Sequence, residues 1–430
     1  MAQLTYPQYE RQCGWNALLP PRDDVRSLTT DVECDVVIIG AGYTGIAAAR
    51  RWAEVAPDDE IVIIDSSQLG EGSSGRNSGF LLDVVFASDA DSAQLPRLME
   101  CNQLIGMAMK DLCDSVHDAA IDCDLERTGT YRAAAGNAGL QALRRYREFL
   151  QLADLPYEEL DRQALQEKLG TAFYKEGIYS PHCFMVQPAA LIRGLAAALP
   201  TSIVLFENSP ALSLDRTING WKIRTPNGSL TSRKAILANN AFSKNLGIGG
   251  SRLTVIYTYA GITEVLSDKL LESLGSENQW GILPTHRLGS TFRRTHDGRL
   301  LVRSHYGYER ESDNAKIGEK LLQRLRARFP QLKQIELQSV WSGATGLTFN
   351  GAPLWGEAKP GLWISSGCNG GGVIKGTLFG SLLAERANGR DTPDINALFG
   401  AASWMPPEPL RKIGFKIVSG IEKYQGRAEI

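Results

Sequence analysis

The sequence predicts an α/β protein whose first domain is built on a parallel sheet. Three stretches near the start of the chain carry this prediction: CDVVIIG (34–40), TGIAAARRWAEV (44–55) and EIVIID (60–65). The first and third are apolar, β-branched runs, which are typical of strands buried on both faces of a parallel sheet. The second has the composition of a helix, and parallel strands need such a crossover between them.

The rest of the chain alternates between helical and strand-rich segments. Amphipathic patterns predict helices over 96–118, 138–170 and 317–329, the last of which ends at Pro330. The strand-rich segments are 201–238, 253–265 and 291–305. NG and DG dipeptides inside the first and last of these indicate hairpin turns. Residues 1–30 are polar and lack periodicity, so we expect them to lie on the surface of the first domain.

Composition narrows the class of protein. A chain of 430 residues with 43% hydrophobic residues can form two or three globular domains. The net charge of -2, with both signs mixed along the chain, argues against a nucleic-acid surface. The seven cysteines are scattered and contain no CxxC pair, which favours reduced thiols in a cytoplasmic protein without a metal site. We also expect no signal peptide and no membrane-spanning segment.

The residues that follow the first predicted strand match a dinucleotide-binding fingerprint. Gly40, Gly42 and Gly45 have GxGxxG spacing between a strand and a helix, and Asp65 ends the next strand about twenty residues later. Such glycines allow a tight turn and a close approach of the backbone to a pyrophosphate, and the helix N-terminus favours the phosphates. Asp65 would bind an adenosine ribose and repel a 2′-phosphate. The pattern predicts a Rossmann-type domain for FAD or NAD rather than NADP.

Two further glycine-rich stretches have two interpretations each. GEGSSGRNSGF (70–80) is either a loop that contacts the cofactor, with Arg76 neutralising its charge, or a solvated linker. GLWISSGCNGGGVIKGTLFG (361–380) is either a strand–loop–helix element that presents N–H groups to a flavin or a tight turn without a ligand.

These motifs together resemble those of FAD-dependent amine and amino-acid oxidases of the D-amino acid oxidase type. The resemblance covers nearly the whole chain and is carried by CDVVIIGAGYTG (34–45), GSSGRNSGF (72–80), IDCD (121–124), ILANNAF (236–242), TFRRTHDGRLL (291–301), FPQL (329–332), VWSG (340–343) and SGCNGGGV (366–373). It implies non-covalently bound FAD, a discontinuous Rossmann-type FAD-binding domain and a substrate domain whose mixed sheet covers the flavin. It also implies oxidation of a C–N bond to an imine.

The resemblance assigns residues to domains and to the cofactor. The expected parts are a surface segment (1–30), the FAD-binding domain (31–105, 185–250 and 335–405), the substrate domain (106–184 and 251–334) and a C-terminal tail (406–430). The residues that the resemblance places at the cofactor are Gly40, Ala41, Gly42, Tyr43, Thr44, Gly45, Asp65, Ser66, Ser73, Ser74, Gly75, Arg76, Asn77, Ser78, Gly79, Phe80, Leu81, Ala211, Leu212, Ala238, Asn239, Asn240, Gly370, Gly371, Gly372, Val373 and Ile374.

The chain departs from the family in ways that bear on the substrate. Gly371 stands where many relatives have histidine, and Ile374 where sarcosine-oxidising relatives have lysine; we do not give the neighbouring Lys375 that role. The stretch 340–353 lacks the arginine with which glycine-oxidase-like relatives hold the substrate carboxylate. An amine substrate is therefore favoured over a simple α-amino acid. The arginines that could supply the charge from another strand are Arg293, Arg294 and Arg303.

The candidates for substrate binding and catalysis come from the strand-rich segments. Tyr257 and Tyr259 are two residues apart and so share one face of a strand, where they could form an aromatic wall for a substrate cation; ordinary sheet packing is the alternative. We expect Arg303 and Trp341 to bind substrate as well, and Tyr259 and His305 to be catalytic. Cys368 is interpreted as a packing thiol.

The predicted function is oxidation of a small amine, such as a γ-glutamylputrescine-like compound, by hydride transfer to FAD. Electrons would pass to oxygen or to a quinone. The alternatives are an imino-acid or N-methyl amino-acid oxidase or dehydrogenase, and a non-catalytic FAD-binding protein. The basic, amphipathic tail EPLRKIGFKIVSGIEKYQGR (408–427) could contact a membrane surface, but we expect it to pack against its own FAD-binding domain.

Overall fold

A computed structural model describes residues 4–84 and 95–429 of the chain. Its helices are α1 (Gly14–Ala17), α2 (Tyr43–Val55), α3 (Ser73–Arg76), α4 (Leu95–Asp118), α5 (Asn137–Leu152), α6 (Arg162–Leu169), α7 (Pro188–Ala197), α8 (Asp268–Glu272), α9 (Asn314–Arg328), α10 (Ile374–Ala387), α11 (Ile395–Phe399) and α12 (Leu410–Gln425). Short 3-10 helices lie at Asn240–Leu246 and Pro330–Leu332.

The strands form two large sheets and one two-stranded ladder. In chain order they are β1 (Val32–Ile39), β2 (Ile61–Ile64), β3 (Phe80–Leu81), β4 (Thr130–Ala134), β5 (Glu158–Asp161), β6 (Glu176–Ser180), β7 (Phe184–Met185), β8 (Ile203–Phe206), β9 (Ser213–Thr217), β10 (Gly220–Arg224), β11 (Ser229–Leu237), β12 (Thr254–Thr263), β13 (Trp280–Pro284), β14 (Thr291–Arg294), β15 (Leu300–Tyr308), β16 (Leu337–Leu347), β17 (Leu354–Lys359) and β18 (Leu362–Ser366).

The first sheet has the order β17-β18-β11-β1-β2-β8, with β10 and β9 attached to β11. Strand β1 has parallel neighbours on both sides, since Ile38 lies opposite Ile236 of β11 and Ile63 of β2. All three side chains are fully buried, in a core shared with α2 and α10. This confirms the strand–helix–strand unit and the α/β class that the sequence predicts.

The second sheet has the order β16-β12-β15-β14-β13-β4-β6-β5 and is mixed, because β13 pairs with β4 in parallel and the other pairs are antiparallel. Leu321 and Leu325 of α9 pack on one of its faces. Trp341 of β16 lies on the other face, in a cluster with Cys13 and Trp15. The sheet therefore lies between α9 and the N-terminal segment.

Several local expectations need correction. The predicted helix over 138–170 is divided into α5, β5 and α6, because the chain turns through Asp154, which has a φ of +50°, and Pro156. Strand β16 pairs with β12, so the second sheet reaches Leu347, beyond the expected boundary at 335. The expected boundary at 105 falls inside α4, whose apolar face belongs to the core of the first sheet.

Residues 13–16 of the N-terminal segment are buried, whereas the sequence suggested that the segment lies on the surface. Cys13 and Trp15 are 0% and 2% exposed. The ring of Trp15 packs edge-on against Trp341 at a centroid distance of 6.3 Å. This part of the segment therefore lies between the second sheet and the loop around Ser73–Arg76.

Candidate active site

The glycines after β1 stand where no side chain fits. Gly40 has a φ of +111°, and a Cβ there would lie 2.9 Å from the carbonyl of Ala238. A Cβ on Gly45 would lie 1.8 Å from the carbonyl oxygen of Gly40. The turn from β1 into α2 is thus as tight as the fingerprint predicts.

The N-terminus of α2 meets the loop after β2, where the N–H of Tyr43 donates a hydrogen bond to Oγ of Ser74 at 3.4 Å. Its N-cap, Gly42, provides no side-chain hydrogen bond, and the first N–H groups of a helix have no partner within it. A Cβ on Gly42 would lie 2.6 Å from Oγ of Ser74, so the loop after β2 closes this corner. Backbone N–H groups, a serine hydroxyl and missing side chains suit a pyrophosphate.

Polar groups at the ends of the neighbouring strands complete this cradle. Asp65 follows β2, and its carboxylate accepts hydrogen bonds from the N–H of Ala41 at 2.8 Å and of Ser67 at 3.0 Å. Burial raises the pKa of Asp65, although these hydrogen bonds oppose the shift. Asn239 follows β11, and its Oδ1 is buried without a partner. An orphaned acceptor and a buried carboxylate beside the glycine turn fit a dinucleotide at the carboxyl edge of the sheet.

Ala211 and Leu212, which are predicted at the adenine end, follow Ser209, a residue that contacts Asp65. The N–H of Ser209 donates to the carbonyl oxygen of Asp65 at 2.7 Å. Ala211 is buried and Leu212 is 44% exposed. The prediction that they contact the cofactor is compatible with this position.

The loop Ser73–Gly79 is held by side chains from distant parts of the chain. Trp15 Nε1 donates to the carbonyl oxygen of Asn77 at 2.8 Å, and Trp341 Nε1 to that of Arg76 at 3.1 Å. Arg293 Nη1 donates to the carbonyl oxygen of Ser78 at 3.1 Å. A solvated linker would lack such hydrogen bonds, so this segment is an ordered loop and not a solvated linker.

Arg76 has a different role from the predicted neutralisation of cofactor charge. Its guanidinium is buried and donates to the carbonyl oxygens of Glu71, Ser342 and Arg11 at 2.6 to 2.9 Å. It also pairs with the carboxylate of Glu71 and lies over the ring of Tyr9. These contacts hold the guanidinium against β16, Glu71 and the N-terminal segment.

Beyond the loop, β3 leads away under the second sheet. Leu81 is fully buried, and Phe80 pairs with Met185 of β7. The ring of Phe80 lies against Gly281, where a Cβ would be 2.3 Å from it. The loop residues predicted near the flavin ring thus lie between the two sheets.

The C-terminal glycine loop is pinned by Asn240. Its Oδ1 accepts a hydrogen bond from the N–H of Gly367 at 2.9 Å, and its Nδ2 donates to Sγ of Cys368 at 3.1 Å. Thr345 of β16 contacts the same sulfur at 3.3 Å. Gly370, Gly371 and Gly372 follow and lead into α10. Cys368 therefore has the packing role that the sequence suggested.

The helix that follows this loop packs closely against the predicted cofactor turn. A Cβ on Gly380 of α10 would lie 2.2 Å from the carbonyl oxygen of Thr44. Val373 and Ile374 are buried at the start of α10. Burial lowers the pKa of the neighbouring Lys375. The two glycine loops thus enter adjacent helices, as the predicted site requires.

The second sheet presents one face to the loop Ser73–Gly79, and a β-bulge decides which residues lie on it. Ala260 pairs with Arg303 and Trp341, whereas Thr258 pairs with Tyr306. The register shifts between Thr258 and Tyr259. The extra residue is His305, which has a φ of +62°. Arg303 and Tyr306 therefore share the loop-facing side, with the guanidinium 5.4 Å from the ring centroid.

Both predicted tyrosines lie on the opposite face. Tyr257 and Tyr259 are 6% and 0% exposed and belong to the cluster formed with α9. The hydroxyl of Tyr259 accepts a hydrogen bond from the N–H of Ser312. Ordinary sheet packing, the alternative interpretation, therefore accounts for both tyrosines, and neither lines the face of the sheet that meets the loop.

Trp341 and His305 also differ from their predicted roles. Trp341 is fully buried and clamps the loop rather than offering a surface to substrate. Burial lowers the pKa of His305 to about 4, and Arg324, Lys320 and Lys423 add to the shift. With its pKa lowered this far, His305 is a weak proton acceptor near neutral pH, which does not suit a proton-transfer base.

The three candidate arginines differ in burial and in hydrogen-bond partners. Arg293 and Arg294 are buried and donate to backbone carbonyl oxygens, those of Ser78 and Val186 for Arg293 and of Leu271 and Glu277 for Arg294. Arg303 is half-buried on the loop-facing side. None of the ion pairs found in residues 4–84 and 95–429 includes it.

Sequence reasoning did not identify Tyr306 or the clamps made by Trp15 and Arg293. Tyr306 is three residues from Arg303, and strict alternation would place the two on opposite faces. Within the described parts of the chain, no group of histidine, cysteine, aspartate or glutamate side chains could hold a metal ion. Nor does any helix there have both the length and the apolar character to cross a bilayer.

Comparison with known proteins supports this arrangement. The family model DAO, described as FAD dependent oxidoreductase, matches residues 35–386. A probable oxidoreductase OrdL of Rhizobium meliloti (strain 1021) is 28% identical over 391 residues, which cover 88% of this chain and 88% of that protein. Gamma-glutamylputrescine oxidoreductase of Escherichia coli (strain K12) is 27% identical over 372 residues, covering 84% and 85%.

Among solved structures, glycine oxidase from Geobacillus kaustophilus superposes with a TM-score of 0.74 at 19% identity. The superposition covers 87% of this chain and 100% of that chain. At this identity the likeness concerns the fold.

Proposed function

This chain belongs to the DAO family of FAD dependent oxidoreductases, and we propose that it oxidises the C–N bond of a small amine that carries a carboxylate at its far end. FAD is its cofactor, and amines or amino acids are its substrate class. A γ-glutamylputrescine-like compound meets the proposed description, having a primary amine at one end and an α-carboxylate at the other. The 27% identical relative named for this substrate supports the choice.

The single observation that carries the proposal is the state of Arg303. Within residues 4–84 and 95–429, no carboxylate and no backbone carbonyl is paired with Arg303, which lies on the loop-facing side, whereas Arg293 and Arg294 donate to backbone carbonyl oxygens. A guanidinium binds a carboxylate through two parallel hydrogen bonds. Tyr306 lies beside it and can pack against the substrate chain.

The cofactor residues would be the glycine turn with Asp65 for the ADP half and the loop Ser73–Gly79 with Gly370–Gly372 for the flavin. Bound FAD supplies the two-electron acceptor. The amine, with its nitrogen neutral, gives up a hydride from the carbon beside it and becomes an imine, which water converts to an aldehyde and ammonia. Release of hydrogen peroxide under air would identify oxygen as the electron acceptor, and turnover without peroxide would favour a quinone.

The protein's own part is to orient the amine and to exclude water from the reacting carbon. Arg303 holds the distal end, and the clamped loop fixes the distance between that end and the cofactor. No side chain on the loop-facing side needs to remove the proton, because the neutral amine is the reacting form.

Anaerobic titration of the holoenzyme tests this proposal. γ-Glutamylputrescine should bleach the flavin band near 450 nm, a position general to oxidised flavins, at lower concentration than putrescine or N-acetylputrescine, which lack the carboxylate. Bleaching by sarcosine, proline or pipecolate instead would assign the enzyme to imino acids or N-methyl amino acids. A flavin that no compound bleaches would point to a non-catalytic FAD-binding protein.

A further inference from the structure

The last helix, α12, is fixed to the body of the protein by one side. Arg411 donates to the carbonyl oxygen of Leu253 at 3.0 Å, and Phe415 packs on the ring of Tyr308 at a centroid distance of 5.0 Å. One turn before the helix ends, Glu422 pairs with His286 at 2.9 Å. These partners lie on or beside the second sheet. The expectation that the tail packs against the FAD-binding domain is therefore wrong.

The side of α12 that faces away from the body is apolar. Leu410, Ile413, Ile417, Ile421 and Tyr424 are 59%, 50%, 58%, 53% and 70% exposed. They recur every three or four residues and so form one stripe along the helix. The anchoring residues recur in the same way on the other side, so the stripe points outward. An amphipathic helix normally turns this stripe to a core.

The charges beside the stripe are all positive. Lys412, Lys416 and Lys423 are exposed and lie on one flank of the helix. The acidic side chains of the tail turn towards the body instead. Glu408 accepts a hydrogen bond from the hydroxyl of Tyr308, and Glu429 accepts one from the N–H of Gly136 at 2.6 Å, in addition to the pair made by Glu422.

We propose that α12 is a membrane-interface helix that docks this enzyme on anionic lipid bilayers. An outward apolar stripe with lysines on its flank is the pattern of helices that lie in the plane of the interface. The stripe would enter the boundary of the acyl chains, and the lysines would meet lipid phosphates. Trp404, 63% exposed before the helix, and Tyr424 are side chains that favour this boundary.

Charge complementarity favours an anionic bilayer over a second copy of this chain. An isologous contact would place the same positive surface on both partners, whereas an acidic leaflet attracts each lysine. The helix is also fixed in place at both ends of its length, so docking would need no ordering of the tail.

Sedimentation of the holoenzyme with lipid vesicles tests the docking. We expect binding to phosphatidylcholine vesicles that contain phosphatidylglycerol, weaker binding to phosphatidylcholine alone, and release by added salt. Ile417→Glu combined with Ile421→Glu should weaken binding on the order of a hundredfold. Exchange of the three lysines for glutamine should weaken it to a similar extent, on the order of a hundredfold.

The matched control is Ile218→Glu, which makes the same change at an isoleucine that is 96% exposed in the turn between β9 and β10. It should bind vesicles as the unmodified enzyme does. Each of these changed side chains is exposed, so FAD content and circular dichroism should stay unchanged.

Three results would overturn the docking. One is the absence of sedimentation with phosphatidylglycerol vesicles, and another is equal binding by the two-isoleucine variant and the control. The third is a dimer in sedimentation velocity that the two-isoleucine variant abolishes without any vesicle binding, which would assign the stripe to a second copy.

Discussion

The guanidinium of Arg293, on β14, donates a hydrogen bond to the carbonyl oxygen of Ser78 at 3.1 Å. This contact joins the second sheet to the glycine-rich loop across 215 positions of sequence. Arg293 is 1% exposed and also lies 5.2 Å from the ring centroid of Trp15. Burial lowers its pKa to about 10, so it stays charged at neutral pH.

Arg293→Met should destabilise the protein. It leaves the carbonyl oxygens of Ser78 and Val186 without their donor in a buried place, which costs about 3 kcal/mol. We expect a lower urea midpoint by circular dichroism and weaker FAD binding. Arg303→Met, on the neighbouring strand, is the matched control and should unfold as the unmodified protein does. Equal midpoints for the two variants would contradict the clamp.

Arg303→Met should separate substrate binding from chemistry. Loss of a bidentate carboxylate contact should raise KM for γ-glutamylputrescine roughly 100-fold with a smaller change in kcat. Arg303→Lys should restore part of the loss, because it keeps the charge but not the fork. Putrescine, without a carboxylate, is the control substrate. A loss of the same size on putrescine would refute the assigned contact.

Asp65→Ala should weaken FAD binding. The carboxylate at the end of β2 is where the ribose hydroxyls are expected, and a charge-assisted hydrogen bond is worth about 1.5 to 3 kcal/mol, or roughly 10- to 100-fold in Kd. Flavin fluorescence on adding FAD to apoprotein measures this. Asp58→Ala, at an exposed position in the turn before β2, should leave Kd unchanged. Matching constants for the two variants would place the ribose elsewhere.

His305→Asn should change how stability depends on pH. The pKa of His305 is about 4 in the folded protein and about 6.5 when unfolded. Between these values the unfolded chain binds more protons, so stability falls as the pH falls through this window.

Asparagine has no such titration, and it tolerates the left-handed backbone of the bulge. The Tm of the variant should therefore drop less than that of the unmodified protein between about pH 7 and about pH 5. His117→Asn, at an exposed position of α4, serves as the comparison and should drop like the unmodified protein. If His305→Asn loses as much Tm as His117→Asn, the histidine is not held neutral by its surroundings.

The cofactor half of the protein was predictable because its signals are local. A β-branched run followed by GxGxxG and a helix predicts the turn at Gly40–Gly45. The strand and the turn are neighbours in sequence, so one short segment contains the whole signal. The position of Asp65 is predictable as well, because a single crossover helix separates the glycine motif from the strand that Asp65 ends. The resemblance then identified FAD and the enzyme class, and both are confirmed by the family match.

The face of the second sheet was decided by tertiary structure. The sequence correctly predicts strands around Tyr257, Tyr259, Arg303 and His305, but not the bulge at His305. One inserted residue reverses the side of every residue after it, so Tyr306 joins Arg303 on the loop-facing side. The tyrosines lie instead beneath α9, whose position no local pattern specifies.

Local patterns in the sequence thus predict the parallel sheet, the glycine turns and the amphipathic character of α12. The side of α12 that meets the protein depends on long-range contacts, since Glu422 pairs with His286 and Arg411 donates to the carbonyl oxygen of Leu253. Periodicity reports that a helix has an apolar stripe. What lies against that stripe depends on contacts between segments far apart in the chain, which determine the side that stays in contact with solvent.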